Sequence, residues 1–142
     1  MRRLGLDLGE KRIGVSLSDV EGILARPLVV VHRRSKQNDF EAIARLVQEW
    51  AVEQVVIGLP QSLEGEIGPQ ARWVKRYARE LAHVLDVPIV YFDESYSTVE
   101  ADELLRAGGR PHRRRREMID AAAAAVILQG YLDSQREPLQ NR

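Results

Sequence analysis

The chain has 142 residues, 44% hydrophobic and 30% charged, with 21 basic and 21 acidic side chains and therefore no net charge. This describes one soluble-type domain with room for a real core, and the neutral balance argues against a general polyanion binder. The lack of cysteine excludes disulfides and thiolate metal sites, and no apolar run approaches a membrane span. The charge is unevenly placed. Residues 1–109 hold 14 Lys and Arg against 17 Asp and Glu, whereas residues 110–142 hold 7 against 4, five of the seven being Arg within Arg110–Arg116. Met1-Arg2-Arg3 leads straight into strand-like sequence with no signal-peptide pattern, so a cytoplasmic location is expected.

In chain order, Leu4, Leu6 and Leu8 alternate with Gly5, Asp7 and Gly9, and Ile13, Val15 and Leu17 alternate with Gly14, Ser16 and Ser18. A period of two on either side of GEKR predicts two strands joined by a hairpin. Asp7 is the odd member, because a carboxylate within a strand is disfavoured and, if buried, must be neutral, paired or metal-bound. Gly5 and Gly9 beside it leave space for a ligand or another backbone. From Gly22 a third strand-like run ends in Leu28-Val29-Val30-Val31, with Pro27 marking an irregularity or an edge.

After the polar stretch 32–38, Asn38 and Glu41 fit a capping box, and Phe40, Ile43, Ala44, Val47 and Ala51 predict an amphipathic helix to about Ala51. The run Gln54–Gly58 reads as a buried, parallel strand. Leu59–Gly68 is a long loop, and Pro69 opens a helix with a stripe of Ala71, Val74, Ala78, Leu81, Ala82 and Leu85. Pro88–Phe92 is the fifth strand, ending at Asp93-Glu94. Ser97 and Glu100 open a short helix that stops at Gly108-Gly109. A basic loop spans Arg110–Arg116, and a last helix runs from about Glu117 to Leu132 with Ala123, Val126, Ile127 and Tyr131 inward. Residues 135–142 form a polar tail.

The order β-β-β-α-β-α-β-α-α predicts an α/β fold, a mixed sheet with helices on both faces, and function at the C-terminal ends of its parallel strands. Three carboxylates stand out on that layout: Asp7 on the first strand, Glu94 at the end of the fifth, and Asp120 in the first turn of the last helix. Ala121–Ala125 follow Asp120, and such small residues let a helix lie close to a sheet. Oxygen ligands from separate elements, without His or Cys, suit Mg²⁺ or Mn²⁺, and two such ions clamp the attacking and leaving oxygens of a phosphodiester. The plainer reading is that Asp120 favours a helix N-terminus and Glu94 is a solvated strand-end acid.

Four stretches, LGLDLGEKRIGVSLSD (4–19), VVIGLPQSLEGEIGPQA (55–71), FDESYSTVEA (92–101) and DAAAAAVILQGYL (120–132), resemble in content and order the YqgF family, also called RuvX. Members of that family are pre-16S rRNA nucleases, long described as Holliday-junction resolvase-like. The resemblance covers nearly the whole domain. It implies a five-stranded RNase H-like nuclease domain over residues 1–134, with Asp7, Glu94 and Asp120 as catalytic and metal-binding residues. Its cofactor would be Mg²⁺ or Mn²⁺, two ions, and its partners nucleic acid, RNA more than DNA, and ribosomal precursor particles. The chain departs from the family pattern at Ser95, where an Arg is usual after Asp-Glu, and at Glu10, where a Thr is frequent.

Other residues are weighed beside these. Lys11 and Arg12 could hold a phosphate oxygen or simply form a solvated turn. Gly58, Pro60 and Gln61 could border a substrate groove. Arg110, His112 and Arg113, Arg114, Arg115 and Arg116 form a candidate nucleic-acid contact. Asp93 is an auxiliary ligand or a surface acid, and His32 and His83 are structural or surface residues. Trp50, Trp73 and Phe92 read as core or partner-facing aromatics. Apolar surface at Trp50 or Trp73 would support a homodimer. Two other functional classes stay open: a catalytically silent nucleic-acid or ribosome-binding factor, and an actin–hexokinase type phosphotransferase suggested by LGLDLG. The second needs two such domains to enclose a nucleotide.

Overall fold

The computed structural model describes residues 1–60, 68–94 and 112–136, with side chains for all of these except 94 and 112–116. Among the described residues eight elements follow one another: β1 (Arg3–Leu8), β2 (Arg12–Ser18), β3 (Ala25–His32), α1 (Lys36–Glu49), β4 (Gln54–Pro60), α2 (Pro69–Ala82), β5 (Ile89–Glu94) and α3 (His112–Gln135). The strands form one five-stranded sheet in the order β3-β2-β1-β4-β5. The hairpins β1–β2 and β2–β3 are antiparallel, while β4 runs parallel to both β1 and β5. The expected mixed sheet is therefore present. The helix anticipated between Ser97 and Gly109 and the loop residues 61–67 lie outside the described residues, within which no helix is long and apolar enough to cross a membrane.

Strand alternation divides the molecule into two layers. Leu4, Leu6, Leu8, Ile13, Val15, Leu17, Val55, Ile57 and Leu59 face one way, into a core with Phe40, Ile43 and Val47 of α1 and Ala71, Val74, Tyr77, Ala78 and Leu81 of α2. On the other face, Val56 packs with Ile127, Leu128 and Leu132 of α3, and Val90, Phe92 and Tyr131 join them. Pro27 falls at a break in the β2–β3 ladder: Val15 pairs with Val29 and Ser16 with Pro27, leaving Leu28 as the extra residue on the edge strand. A missing N–H is tolerated at such a position.

Small residues on the second face let α3 come very close. Ser16 Oγ donates to the Ala124 carbonyl at 2.7 Å. A Cβ at Gly5 would lie 2.8 Å from Leu128 Cβ, and one at Gly14 only 1.9 Å from the Asp120 carbonyl oxygen. The buried run Ala121–Ala124 completes this seam. The space at Gly5 is filled by the Ser16 hydroxyl and the Leu128 side chain, with the Ala124 carbonyl next, and helix backbone makes the closer approach at Gly14.

Several sequence-based boundaries need correction. Ser35, not Asn38, caps α1, its hydroxyl accepting from Asn38 N at 3.1 Å; the hydroxyl reaches the third amide of the helix, which frees Asn38 to be helical. β4 continues to Pro60, because Pro60 sits opposite Glu94 at the end of the ladder. α3 begins at His112, so Arg113–Arg116 are helical rather than a loop, and Asp120 lies past the second turn rather than in the first. Arginine is a good helix former, and nothing between Pro111 and Asp120 breaks the helix. The buried stripe of α2 includes Tyr77 and omits Ala82, and that of α3 runs through Leu128 and Leu132, with Val126 and Tyr131 only half-buried. Trp50 and Trp73 are half-buried. Both pack on the core, and the guanidiniums of Arg2 and Arg26 lie over Trp50 and that of Arg33 over Trp73.

Gly14→Ala should therefore destabilise the fold by about 3 kcal/mol, because its methyl group meets helix backbone that cannot rotate away. Ser16→Ala, which loses one buried hydrogen bond, should cost about 1 kcal/mol. Urea midpoints at constant m-value measure both, and a Gly14→Ala protein as stable as wild type would contradict the close contact.

Candidate active site

Asp7 lies near the C-terminal end of β1, opposite Gly14 of β2. Alternation puts it on the Gly5 face, the one covered by α3, and the α3 backbone over Gly14 is that of Asp120. The two carboxylates thereby meet from different elements. Burial, and then the charge of Asp120, push the Asp7 carboxyl from its ordinary value up to about 6. Asp120 is held by Arg12, whose Nε donates to Oδ2 at 2.5 Å; both side chains are partly exposed. Arg12 is thus engaged by a site carboxylate, while Lys11 next to it is exposed.

The turn between β1 and β2 is held from outside. Gly9 N donates to the Arg12 carbonyl at 3.0 Å, and Arg33 N to the Lys11 carbonyl at 2.9 Å. Arg33 Nη1 donates to the carbonyls of Gly9 and Glu10 at 3.1 and 3.3 Å. Its Nε reaches Asp39 Oδ2 at 3.4 Å, and its guanidinium lies 5.0 and 5.1 Å from the ring centres of Trp73 and Tyr77. Asp39 is 2% exposed and also accepts from Arg34 N and from Tyr77 Oη, at 3.1 and 3.3 Å. Burial and the neighbouring Asp39 raise the Tyr77 hydroxyl well above its ordinary range, so it stays a donor. A cavity of about 350 Å³ lies beside the turn, lined by Glu10, Arg33, Pro69, Gln70 and Trp73. Arg33 and Asp39 were not among the sequence candidates. They sit in and just after a polar loop, and the signal that marks them, an acid on the inward side of a helix start, shows only once Ser35 is known to be the cap.

The remaining candidates are more dispersed. Glu94 is the last residue of β5, opposite Pro60, and Phe92, two residues earlier, packs against Tyr131 of α3. Asp93 is exposed and stands opposite Leu59. Arg113–Arg116 are on the helical backbone of α3, whereas Gln61 and Arg110 lie outside the described residues. His32 pairs with Glu117 at 3.3 Å and His83 follows α2 at the surface. Among the described side chains no three acids or histidines form a metal-binding group, the pair being Asp7 and Asp120. That pair fits a hard divalent cation: its donors are carboxylate oxygens, and among the described residues no partner charge offsets the burial of Asp7.

The family model described as RuvX, Holliday junction resolvase, matches residues 1–134. A protein of Syntrophus aciditrophicus named a pre-16S rRNA nuclease is 48% identical over 134 residues, covering 94% of this chain and 89% of its own. One of the same name from Caldanaerobacter subterraneus is 43% identical over 137 residues, covering 96% and 99%. Among solved structures, Thermus thermophilus RuvC superposes with a TM-score of 0.59 at 18% identity, covering 95% of this chain and 96% of its own. The Fowlpox virus resolvase in complex with Holliday junction DNA gives 0.60 at 10%, covering 96% and 100%. At such identities these structures establish the fold, which is RNase H-like.

The raised Asp7 carboxyl sets a pH-dependent stability. An acid whose folded pKa exceeds its unfolded value leaves the fold unpenalised below the unfolded value, 3.8, and destabilises it progressively as pH rises through about 6. Asp7→Asn removes that penalty. In chelator, the variant should exceed wild type by about 1–2 kcal/mol at pH 8, less than the full two-unit shift because the group is partly solvated. The difference should shrink to about a few tenths of a kcal/mol near pH 4. Urea unfolding at the two pH values tests this, and equal stabilities at pH 8 would mean that Asp7 ionises freely.

Proposed function

The chain belongs to the RuvX family, and on that premise we propose that it is a metal-dependent nuclease. It hydrolyses phosphodiester bonds of nucleic acid, acting as an endonuclease at the 5′ end of pre-16S rRNA during ribosome biogenesis in the cytoplasm. The observation that carries this reading is the meeting of Asp7 and Asp120 where β1 and α3 touch, in a chain whose relatives bear a nuclease name over nearly their full length.

Asp7, Asp120 and Glu94 are the residues that would hold Mg²⁺ or Mn²⁺, two ions in this reading. When bound, the ions supply a hydroxide nucleophile near neutral pH and neutralise charge on the leaving oxygen. The protein's own part is positioning. Arg12 fixes the orientation of Asp120. Arg33 and Asp39 hold the turn that follows Asp7, which keeps the strand end from shifting under load. Lys11 and the Arg113–Arg116 turn of α3 supply positive charge for phosphates flanking the scissile bond, which an acidic site alone would repel.

A second reading, a nuclease of four-way DNA junctions, is favoured by the family's description. Cleavage of a pre-16S-like RNA and of a four-way DNA junction, each with Mg²⁺, Mn²⁺ or chelator, separates the two. RNA should be cut only with metal, and Asp7→Asn and Asp120→Asn should each lower the rate by about 10³-fold or more, the scale of losing a group that acts only in the transition state. Cutting of the junction alone selects the second reading. Binding without metal-dependent cutting makes the chain a silent factor, and unchanged cutting by Asp7→Asn places the activity elsewhere.

A further inference from the structure

We propose that the exposed face of α2 is a second nucleic-acid contact: a track for the phosphate backbone formed by Arg72, Lys75, Arg76 and Arg79. It rests on the nuclease reading and extends its substrate site. The four residues are spaced i, i+3, i+4 and i+7, so they share one helix face, opposite the buried Ala71, Val74, Ala78 and Leu81. They line one hollow of about 330 Å³. Lys75 Nζ lies 5.7 Å from the centre of the Tyr91 ring, and Tyr91 is 38% exposed on β5, the edge strand. An exposed ring beside a row of cations offers an unpaired base a stacking surface next to the backbone contacts.

Charge complementarity identifies the occupant. Residues 1–109 carry three more acidic than basic groups, yet α2 has four basic residues and one acid. That acid, Glu80, is tied to Lys36 of α1 at 2.6 Å and so is drawn to the other flank. Lys75 and Arg76 lie four and three residues before Arg79, and like charges at these spacings work against a helix, so a phosphate backbone along them would relieve the repulsion. Arg72 lies in the first turn of α2, which follows the C-terminal end of β4, and the positive end of the helix dipole is there too. From it the stripe runs about 10 Å along the helix. Asp7 faces the opposite side of the sheet, so a strand that touches both passes over the C-terminal rim of β4 and β5 and then follows α2 and Tyr91. Only a substrate longer than the few nucleotides at the scissile bond makes both contacts.

The test is binding by anisotropy over a salt series, in an Asp7→Asn background with Mg²⁺. The probes are a labelled single-stranded RNA of about 30 nucleotides, beyond the reach of one site, and a hexanucleotide. Changing the four residues to Gln should lower the slope of log affinity against log salt for the long RNA by about 0.7 per lost contact, near three units. The hexanucleotide should be unaffected, and four Lys should restore the slope. Circular dichroism confirms that α2 persists, and Arg34→Gln with Arg45→Gln, both exposed elsewhere, should leave the slope unchanged. An unchanged slope in the quadruple variant, an equal loss per charge in the control, or no RNA binding at all would each overturn the track. Cleavage by the otherwise wild-type protein separates this from the nuclease reading: cutting with an unaltered slope removes the track alone, and stripe-dependent binding without cutting removes the nuclease alone.

Discussion

At Gly14 the backbone of α3 lies so close to β2 that the strand has no room for a side chain, and this contact decides where the acids meet. Asp7 is registered beside Gly14 on β1, and Asp120 contributes the carbonyl above it. Any side chain at position 14 would lift the helix and separate the carboxylates. The same seam runs on through Ser16, Gly5 and Ala124. Over this stretch, shape complementarity comes from missing side chains rather than from large apolar ones, and it positions the site more tightly than a mobile loop would.

Close approach has an electrostatic consequence. Two acids in a partly buried space repel, and Arg12 counters only Asp120, which leaves Asp7 with its carboxyl shifted towards neutrality. A fold selected for stability alone would not keep Asp7 at this position, where an amide of similar shape lacks the penalty. The surrounding structure resists the strain through the Arg33–Asp39–Tyr77 network. There, a buried carboxylate has a cation and two further donors, and the cation in turn grips the turn after Asp7. One acid is thus fully paired and structural, and another a short distance along the fold is under-paired. That contrast distinguishes a supporting residue from one available to a ligand.

Much of this was legible in the chain. The alternation of Leu4, Leu6 and Leu8 with Gly5 and Asp7 placed Asp7 on the face away from the larger core, and Ala121–Ala125 announced a helix that packs closely. Pro27 marked the edge-strand irregularity. What periodicity did not reveal were contacts over long sequence separations. Nothing local to Gly14 says that residue 120 lies on it, and nothing near Arg33 says that it bonds to Gly9. Periodicity misplaces helix starts where the Asn38–Glu41 pattern hides the cap at Ser35, and where a charge run reads as a loop although arginine favours helix. The α2 stripe is hidden in the acidic balance of residues 1–109, because charged surfaces are organised at the spacing of helical turns.

A chain with zero net charge can still bind a polyanion if its charges are sorted in space. Here the acids converge at the α3–β1 contact, basic residues occupy one side of α2, and more lie on the first turns of α3. An acidic centre flanked by basic helices attracts a phosphate backbone along its borders while its middle stays repulsive until divalent charge arrives there. Strand affinity and catalytic competence are then set by different residues. In the proposed reading the flanking cations would hold nucleic acid without regard to sequence, whereas the Gly14 seam holds the carboxylates without regard to nucleic acid. Selectivity for one phosphodiester over its neighbours would then follow from geometry, because only a bond lying over Asp7 and Asp120 while the backbone occupies the basic borders would be in reach of both.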